Sequence, residues 1–235
     1  MKAVIFDLDG VITDTAEYHY LAWKHTAEQI GIEIDRSFNE RLKGIDREQS
    51  LDTILIHGGA AGKYQDAEKQ EIMRRKNQYY KQLIQNLTPH DLLPGIAGLF
   101  AELKRENVSI ALASSSRNAP AILERLGVKD EFQAVVEPAL LARGKPDPEI
   151  FLTAAALLGV PPSECVAIED AEAGIAAIKS AGMFAVGVGD ESSMRGADLS
   201  VCSTNELTFE LLKEGWQRCC CITGRKMKSN PRIIK

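Results

Sequence analysis

The sequence predicts an α/β protein: a parallel sheet with helices on both faces and an α-helical cap domain inserted after the first strand. Three observations carry that expectation. Short β-branched apolar runs recur along the chain, amphipathic helical patterns alternate with them, and one long interval after the first run is helical and charged.

The first element, KAVIFD (residues 2–7), has the continuous apolar character of a central parallel strand covered on both sides. From about Thr13 to Leu87 no convincing strand occurs, and 14–30, 38–43, 46–57 and 66–85 suit helices, with Gly31 and Gly58–Gly59 as terminators. A helical block placed there reads as a cap over the end of the first strand. DLLPGI (91–96) returns the chain to the core. Strands are then expected at 108–114, 165–170 and 183–188, with helices at 95–106, 117–126, 147–159 and 171–180. The division is therefore 1–13 with 88–215 as the catalytic core, 14–87 as the cap, and 216–235 as a tail. That tail holds six Lys or Arg, no acid and three adjacent cysteines, and is expected to be disordered.

Composition sets the outer bounds. A chain of 235 residues with 45% hydrophobic and 26% charged residues is that of an ordinary globular protein with a sizeable core. The net charge of −5 argues against nucleic acid as a partner, because phosphate backbones need clustered Lys and Arg. No run approaches the roughly 18–20 apolar residues of a membrane span, and the N-terminus reaches acids too early for a secretory leader. The five cysteines lack framework spacing, so a reducing cytoplasm is expected, with Cys165 and Cys202 as core or near-core thiols.

The chemistry begins at DLDG (7–10), where Asp7 and Asp9 project from one side of an extended segment at the carboxyl end of the first strand. Alone, this motif is equally a strand followed by an acidic turn. Ser114, Ser115 and Ser116 close the second strand, where hydroxyls and helix-start amides can bind phosphate oxygens, although a serine N-cap explains the run as well. Lys145 lies in a proline-stiffened loop, GKPDP, which by itself marks only a solvated charge. Glu169 and Asp170 end the third strand, and with Asp7 and Asp9 they make an oxygen-rich pocket suited to a hard cation. Together the four pieces solve one problem. A carboxylate attacking a phosphate ester brings two anions together at about 4 kcal/mol per pair, for roughly 4 Å and an effective dielectric near 20. A divalent cation and an ammonium group offset that cost, and a second carboxyl moves the proton.

With those motifs in order, DLDGV, Ser114, Lys145 with its proline, and the IED acids, the chain resembles the haloacid dehalogenase superfamily from residue 1 to about 215. FDLDGVITDTAEYH with Trp23, NERLKGIDREQSL (39–51) and RRKN (74–77) are similar to its sugar-phosphate mutase branch. The resemblance implies a Rossmann-like core and interconversion of β-D-glucose 1-phosphate and D-glucose 6-phosphate through β-D-glucose 1,6-bisphosphate, which serves as activator and intermediate. It implies Asp7 as the phosphorylated nucleophile and Asp9 as general acid/base. Mg2+ would be held by Asp7, Asp9 through its backbone carbonyl, Glu169 and Asp170. Ser114 and Lys145 would hold the transferring phosphoryl group. Arg47, Ser116, Arg117 and Asn118 would meet the substrate's other phosphate, with Ser115 also among the substrate-binding residues. Gly44 and Ile45 would line the sugar, with His19, Trp23, Lys43, Ser50 and Lys76 completing the cap side. Without the resemblance, Trp23 reads as cap core, His19 as a solvated or core histidine, and Arg47 and Lys76 as helix-surface charges. Arg117 stands where the pattern often has Lys, which keeps the charge. The nearest rival is a sugar-phosphate phosphatase with the same nucleophile and water as acceptor. A receiver-like signalling module would need neither the second Asp nor the cap. A monomer acting on a small-molecule sugar phosphate is expected.

Overall fold

The computed structural model describes residues 1–42, 45–190 and 192–223. Among them, six strands form one parallel sheet: β1 (Ala3–Phe6), β2 (Ser109–Leu112), β3 (Ala134–Val135), β4 (Cys165–Glu169), β5 (Phe184–Val188) and β6 (Leu199–Val201). Their order is β3-β2-β1-β4-β5-β6, so the direction of winding reverses at β1. Open α/β sheets leave a crevice at such a point, beyond the carboxyl ends of the strands.

Side chains alternate across the sheet as the strand period of two requires. Val4 and Phe6 of β1 face a layer that includes α5 (Ile96–Arg105), α6 (Ala119–Arg125) and α9 (Phe209–Thr223), where Phe100 and Phe132 stack edge-on around Phe6. Ala3 and Ile5 face α7 (Glu149–Leu158) and α8 (Glu172–Ser180) on the other side. Register aligns Phe6 with Leu112 of β2 and with Ile168 of β4. The residues that follow these three therefore emerge side by side at one edge.

Between β1 and α5 lie the helices of the segment expected to form the cap: α1 (Ala16–Gln29), α2 (Arg36–Asn39), α3 (Arg47–His57) and α4 (Asp66–Leu83). Asp35 caps α2 by accepting from the Phe38 N–H at 2.7 Å, and Asp46 caps α3 by accepting from Gln49 N–H at 2.9 Å. The cap has an apolar cluster of its own, including Trp23, Phe38, Leu51, Ile54 and Ile72. Its root, Ala22, Tyr80 and Ile84, joins the cluster of the sheet. The two segments joining cap and core run side by side, with Thr13 bridged to Leu92 and Thr13 Oγ1 donating to the Asp91 carbonyl at 2.7 Å.

Three expectations need correction. Residues 216–223 belong to α9 rather than to an irregular tail. Trp216 is buried and its indole donates to the Ser163 carbonyl at 3.1 Å. Residues 224–235 lie outside the described residues. Cys202 is exposed just beyond β6, not near the core, whereas Cys165 is buried. The sheet also has two short strands, β3 and β6, that no apolar run announced. Among the described residues, no helix is long and apolar enough to cross a membrane.

Candidate active site

Asp7 follows β1 directly, and its N–H continues the sheet by donating to Ile168 O at 3.0 Å. Buried beside it are Lys145 and Glu169. Lys145 Nζ donates to Asp7 Oδ1 at 2.6 Å and to Glu169 Oε2 at 2.7 Å. Burial disfavours the ammonium, yet the two carboxylates outweigh it and raise Lys145 above the usual lysine range. Burial, then Asp7, pushes Glu169 up to about 8. The lysine that its loop context marked as an ordinary solvated charge is thus a fully buried ion-pair partner.

Asp7, Glu169 and Asp170 each offer a carboxylate oxygen, all within 4.8 Å of one another. Two glycines let the acids come this close. A Cβ at Gly10 would stand 2.0 Å from Asp170 Oδ2, and one at Gly174 would stand 2.0 Å from the Glu169 Cδ. Gly10 also sits at φ +72°, which favours glycine on its own account. The donor set is all oxygen and rich in charge, which fits Mg2+.

Asp9 lies at the mouth of this recess. Thr15 Oγ1 donates to Asp9 Oδ1, and Tyr80 OH lies 2.9 Å from the same threonine hydroxyl. With Thr15 committed to Asp9, the tyrosine is the donor of the second bond. Burial and then Asp7 push Asp9 up to about 7, partly opposed by the Thr15 bond. A carboxyl poised there serves either as acid or as base near neutral pH. His19 Nε2 stands 3.9 Å from Asp9 Oδ2.

Ser114 follows β2 and is buried. Its Oγ accepts from Ser116 N–H at 3.1 Å, and Ser116 Oγ accepts from Asn118 N–H at 3.3 Å, so each hydroxyl keeps its own proton to donate. Across the cleft, Lys76 Nζ lies 2.9 Å from His19 Nδ1 and 4.9 and 4.7 Å from the centroids of Trp23 and Tyr80. Burial, followed by Lys76 and Arg47, holds His19 well below the usual imidazole range.

These groups surround one cavity of about 410 Å3. Asp7, Asp9, His19, Trp23, Ile45, Arg47, Ser50, Lys76, Ser114, Ser115, Ser116, Arg117, Lys145 and Asp170 line it. Of the remaining expected residues, Glu169 sits behind Lys145, and Asn118 is turned to the cap residue Asn77. Lys43 and Gly44 lie outside the described residues. Sequence reasoning assigned nothing to Thr15, Tyr80, Asn77 or Gly174. Thr15 stood inside a segment already singled out, and Asn77 one residue after Lys76, so adjacency was the signal available for both.

The family model for haloacid dehalogenase-like hydrolases matches residues 1–182. A β-phosphoglucomutase of Bacillus subtilis (strain 168) is 68% identical over 218 residues, covering 93% of this chain and 96% of the relative. A fructose-1-phosphate phosphatase of Escherichia coli (strain K12) is 31% identical over 185 residues, covering 79% and 95%. Among solved structures, a β-phosphoglucomutase from Clostridium difficile superposes with a TM-score of 0.93 at 47% identity, covering 94% of this chain and 99% of that one.

Proposed function

The chain belongs to the haloacid dehalogenase-like hydrolase family, and we propose that, as an enzyme of the β-phosphoglucomutase type, it interconverts β-D-glucose 1-phosphate and D-glucose 6-phosphate through a phosphorylated Asp7. The observation that carries this reading is the Lys145 ammonium bridging Asp7 and Glu169, with Ser114 on the neighbouring strand end. It is the arrangement that lets a carboxylate meet a phosphoryl group despite their like charges.

In this reading the C6 hydroxyl of β-D-glucose 1-phosphate attacks the phosphorus carried by Asp7 and gives its proton to Asp9. The bond between phosphorus and Asp7 breaks, leaving β-D-glucose 1,6-bisphosphate and a free Asp7 carboxylate. The bisphosphate turns around in the cavity. Asp7 attacks the phosphorus at C1, Asp9 returns its proton to the departing C1 oxygen, and D-glucose 6-phosphate leaves. Ser114 and Lys145 hold the moving phosphoryl oxygens throughout. Arg47, Ser116 and Arg117 hold the phosphate that is not reacting, and a guanidinium suits that task because it can grip bidentately. Asn118, next to Arg117, is bonded to Asn77 instead of facing the cavity. Mg2+ would be held by Asp7, Asp170, Glu169 and the Asp9 carbonyl, and would supply positive charge against the transferring phosphoryl group.

The cap closes the cavity over the phosphoenzyme, which favours a sugar hydroxyl over water as acceptor. Trp23, His19 and Ile45 line the cavity and would face the sugar. We read the protein as a cytoplasmic monomer whose partner is a small sugar phosphate, with neither nucleic acid nor a membrane as partner. The net charge of −5 supports the first exclusion. A sugar-phosphate phosphatase is the second reading, since the E. coli relative carries that name.

The test is Asp7→Asn with acid-quenched detection of the phosphoenzyme. Loss of both the phosphoenzyme and turnover is expected; substantial residual turnover would sink the nucleophile assignment. Asp9→Asn is expected to slow transfer to the sugar by several orders of magnitude with little change in thermal stability. A collapse of stability would make Asp9 structural.

A further inference from the structure

Asn77 stands on α4 of the cap and has no role in the chemistry above. Its Oδ1 accepts from Arg47 Nη2 at 3.0 Å and from Asn118 Nδ2 at 2.9 Å. Both lone pairs of the amide oxygen are therefore used. The first bond lies within the cap, joining α4 to the start of α3. The second crosses from cap to core, since Asn118 stands at the N-terminal boundary of α6. Asn118 is buried, and Asn77 itself is partly buried.

The position of this amide matters because of what faces it. Arg47 belongs to the cap and Arg117 to the core, and both line the same cavity. Arg47 is held below the usual arginine range by burial and then by Arg117, so the two cations repel across the cleft. Repulsion of that kind pushes cap from core until an anion lies between them. An amide that bonds Arg47 on one side and the core residue Asn118 on the other opposes this opening. It is neutral, so it restrains the guanidinium without cancelling its charge, as Asp or Glu in its place would.

We propose that Asn77 is a positioning residue that latches the cap onto the core, holding Arg47 opposite Arg117 so that both receive the non-reacting phosphate of the substrate. The proposal rests on the assignment of Arg47 and Arg117 to that phosphate. It gives Asn77 no contact with the reacting atoms, so its loss acts on binding more than on the chemical step.

The experiment measures kcat and KM for β-D-glucose 1-phosphate in the wild type, Asn77→Ala, Asn77→Ser, Asn118→Ala, Asn77→Ala/Asn118→Ala and Arg47→Ala, with thermal unfolding of each. Asn77→Ala is expected to raise KM on the order of tenfold, the scale of one lost hydrogen-bonded restraint, with kcat changed by about twofold or less. Asn77→Ser, too short to span both partners, is expected to match it. Because Asn77 acts through Asn118, the double variant is expected to raise KM clearly less than the product of the two single effects. An unchanged KM in Asn77→Ala beside a raised KM in Arg47→Ala overturns the latch and leaves the phosphate assignment standing. An unchanged KM in Arg47→Ala removes the phosphate assignment itself. A fall in kcat and unfolding temperature that accounts for the loss in Asn77→Ala and Asn77→Ser, with effects multiplying in the double variant, makes Asn77 a structural residue of the cap and overturns the latch.

Discussion

Burial and the neighbouring Arg47 push Lys76 well below the usual lysine range, with Asp9 acting in the opposite direction. The groups around its Nζ are His19, also held toward its neutral form, and the rings of Trp23 and Tyr80. Free of ligand, this is a poor place for an ammonium. A phosphate in the cavity reverses that, because an adjacent dianion favours the charged form. Anion binding therefore takes up a proton at Lys76. The sign follows: affinity weakens as pH rises from the lowered value of the free protein toward the higher value restored by the ligand. We predict that KM for the sugar phosphate increases with pH in the wild type over the window that opens below the ordinary lysine range, where the lowered Lys76 loses its proton. In Lys76→Met it should start higher and rise less steeply, and equal slopes in the two proteins would remove Lys76 from the titration. At the same scale, Cys165 is buried and pushed up to about 12, mainly by burial, so it stays a protonated packing group.

At the scale of elements, α9 packs against α5 and the interior strand β5. Leu212 and Trp216 are buried on one stripe of the helix, with Phe209 and Cys219 packed against the same cluster. Trp216→Ala is expected to destabilise the protein by about 3 kcal/mol, the low end for a buried aromatic because part of its edge is a polar bond to Ser163. Denaturant unfolding measures it, and a loss below about 1 kcal/mol would show α9 to be peripheral. The helix escaped sequence reading because a boundary drawn at 216 cut its stripe in two, leaving a fragment dominated by cysteines and basic residues. By contrast β1, β2, β4 and β5 were legible, since strands buried on both faces must be apolar at every position. β3 and β6 are two and three residues long at the sheet edges, too short for any periodicity to show. The acids, Ser114 and Lys145 were legible for a related reason: each lies at or just beyond a strand end, or in a loop returning to one. Asn77 was not, because its meaning comes from Asn118, 41 positions away. Tyr80 likewise depends on Thr15, 65 positions away.

For the whole molecule, the same sheet register that aligns Phe6, Leu112 and Ile168 gathers the proposed nucleophile Asp7, the proposed phosphate ligand Ser114 and the proposed cation ligands Glu169 and Asp170 at one edge. In the proposed reading, the inserted helices supply what the sheet edge lacks: cover over the cavity, the wall with Trp23 and His19, and the cations Arg47 and Lys76. The inserted segment is joined to the core through the paired segments at Thr13 and Leu92 and through Ala22, Tyr80 and Ile84, which pack into the core cluster. A phosphatase and a mutase share everything below that junction. They differ in whether the covered phosphoenzyme meets water or the hydroxyl of a sugar phosphate. The direct measurement supplies β-D-glucose 1-phosphate, Mg2+ and a trace of β-D-glucose 1,6-bisphosphate, and follows D-glucose 6-phosphate and free phosphate in the same reaction. A mutase converts the substrate to D-glucose 6-phosphate with almost no free phosphate. Phosphate released in step with substrate loss, with little D-glucose 6-phosphate formed, would contradict the assignment and make this enzyme a sugar-phosphate phosphatase.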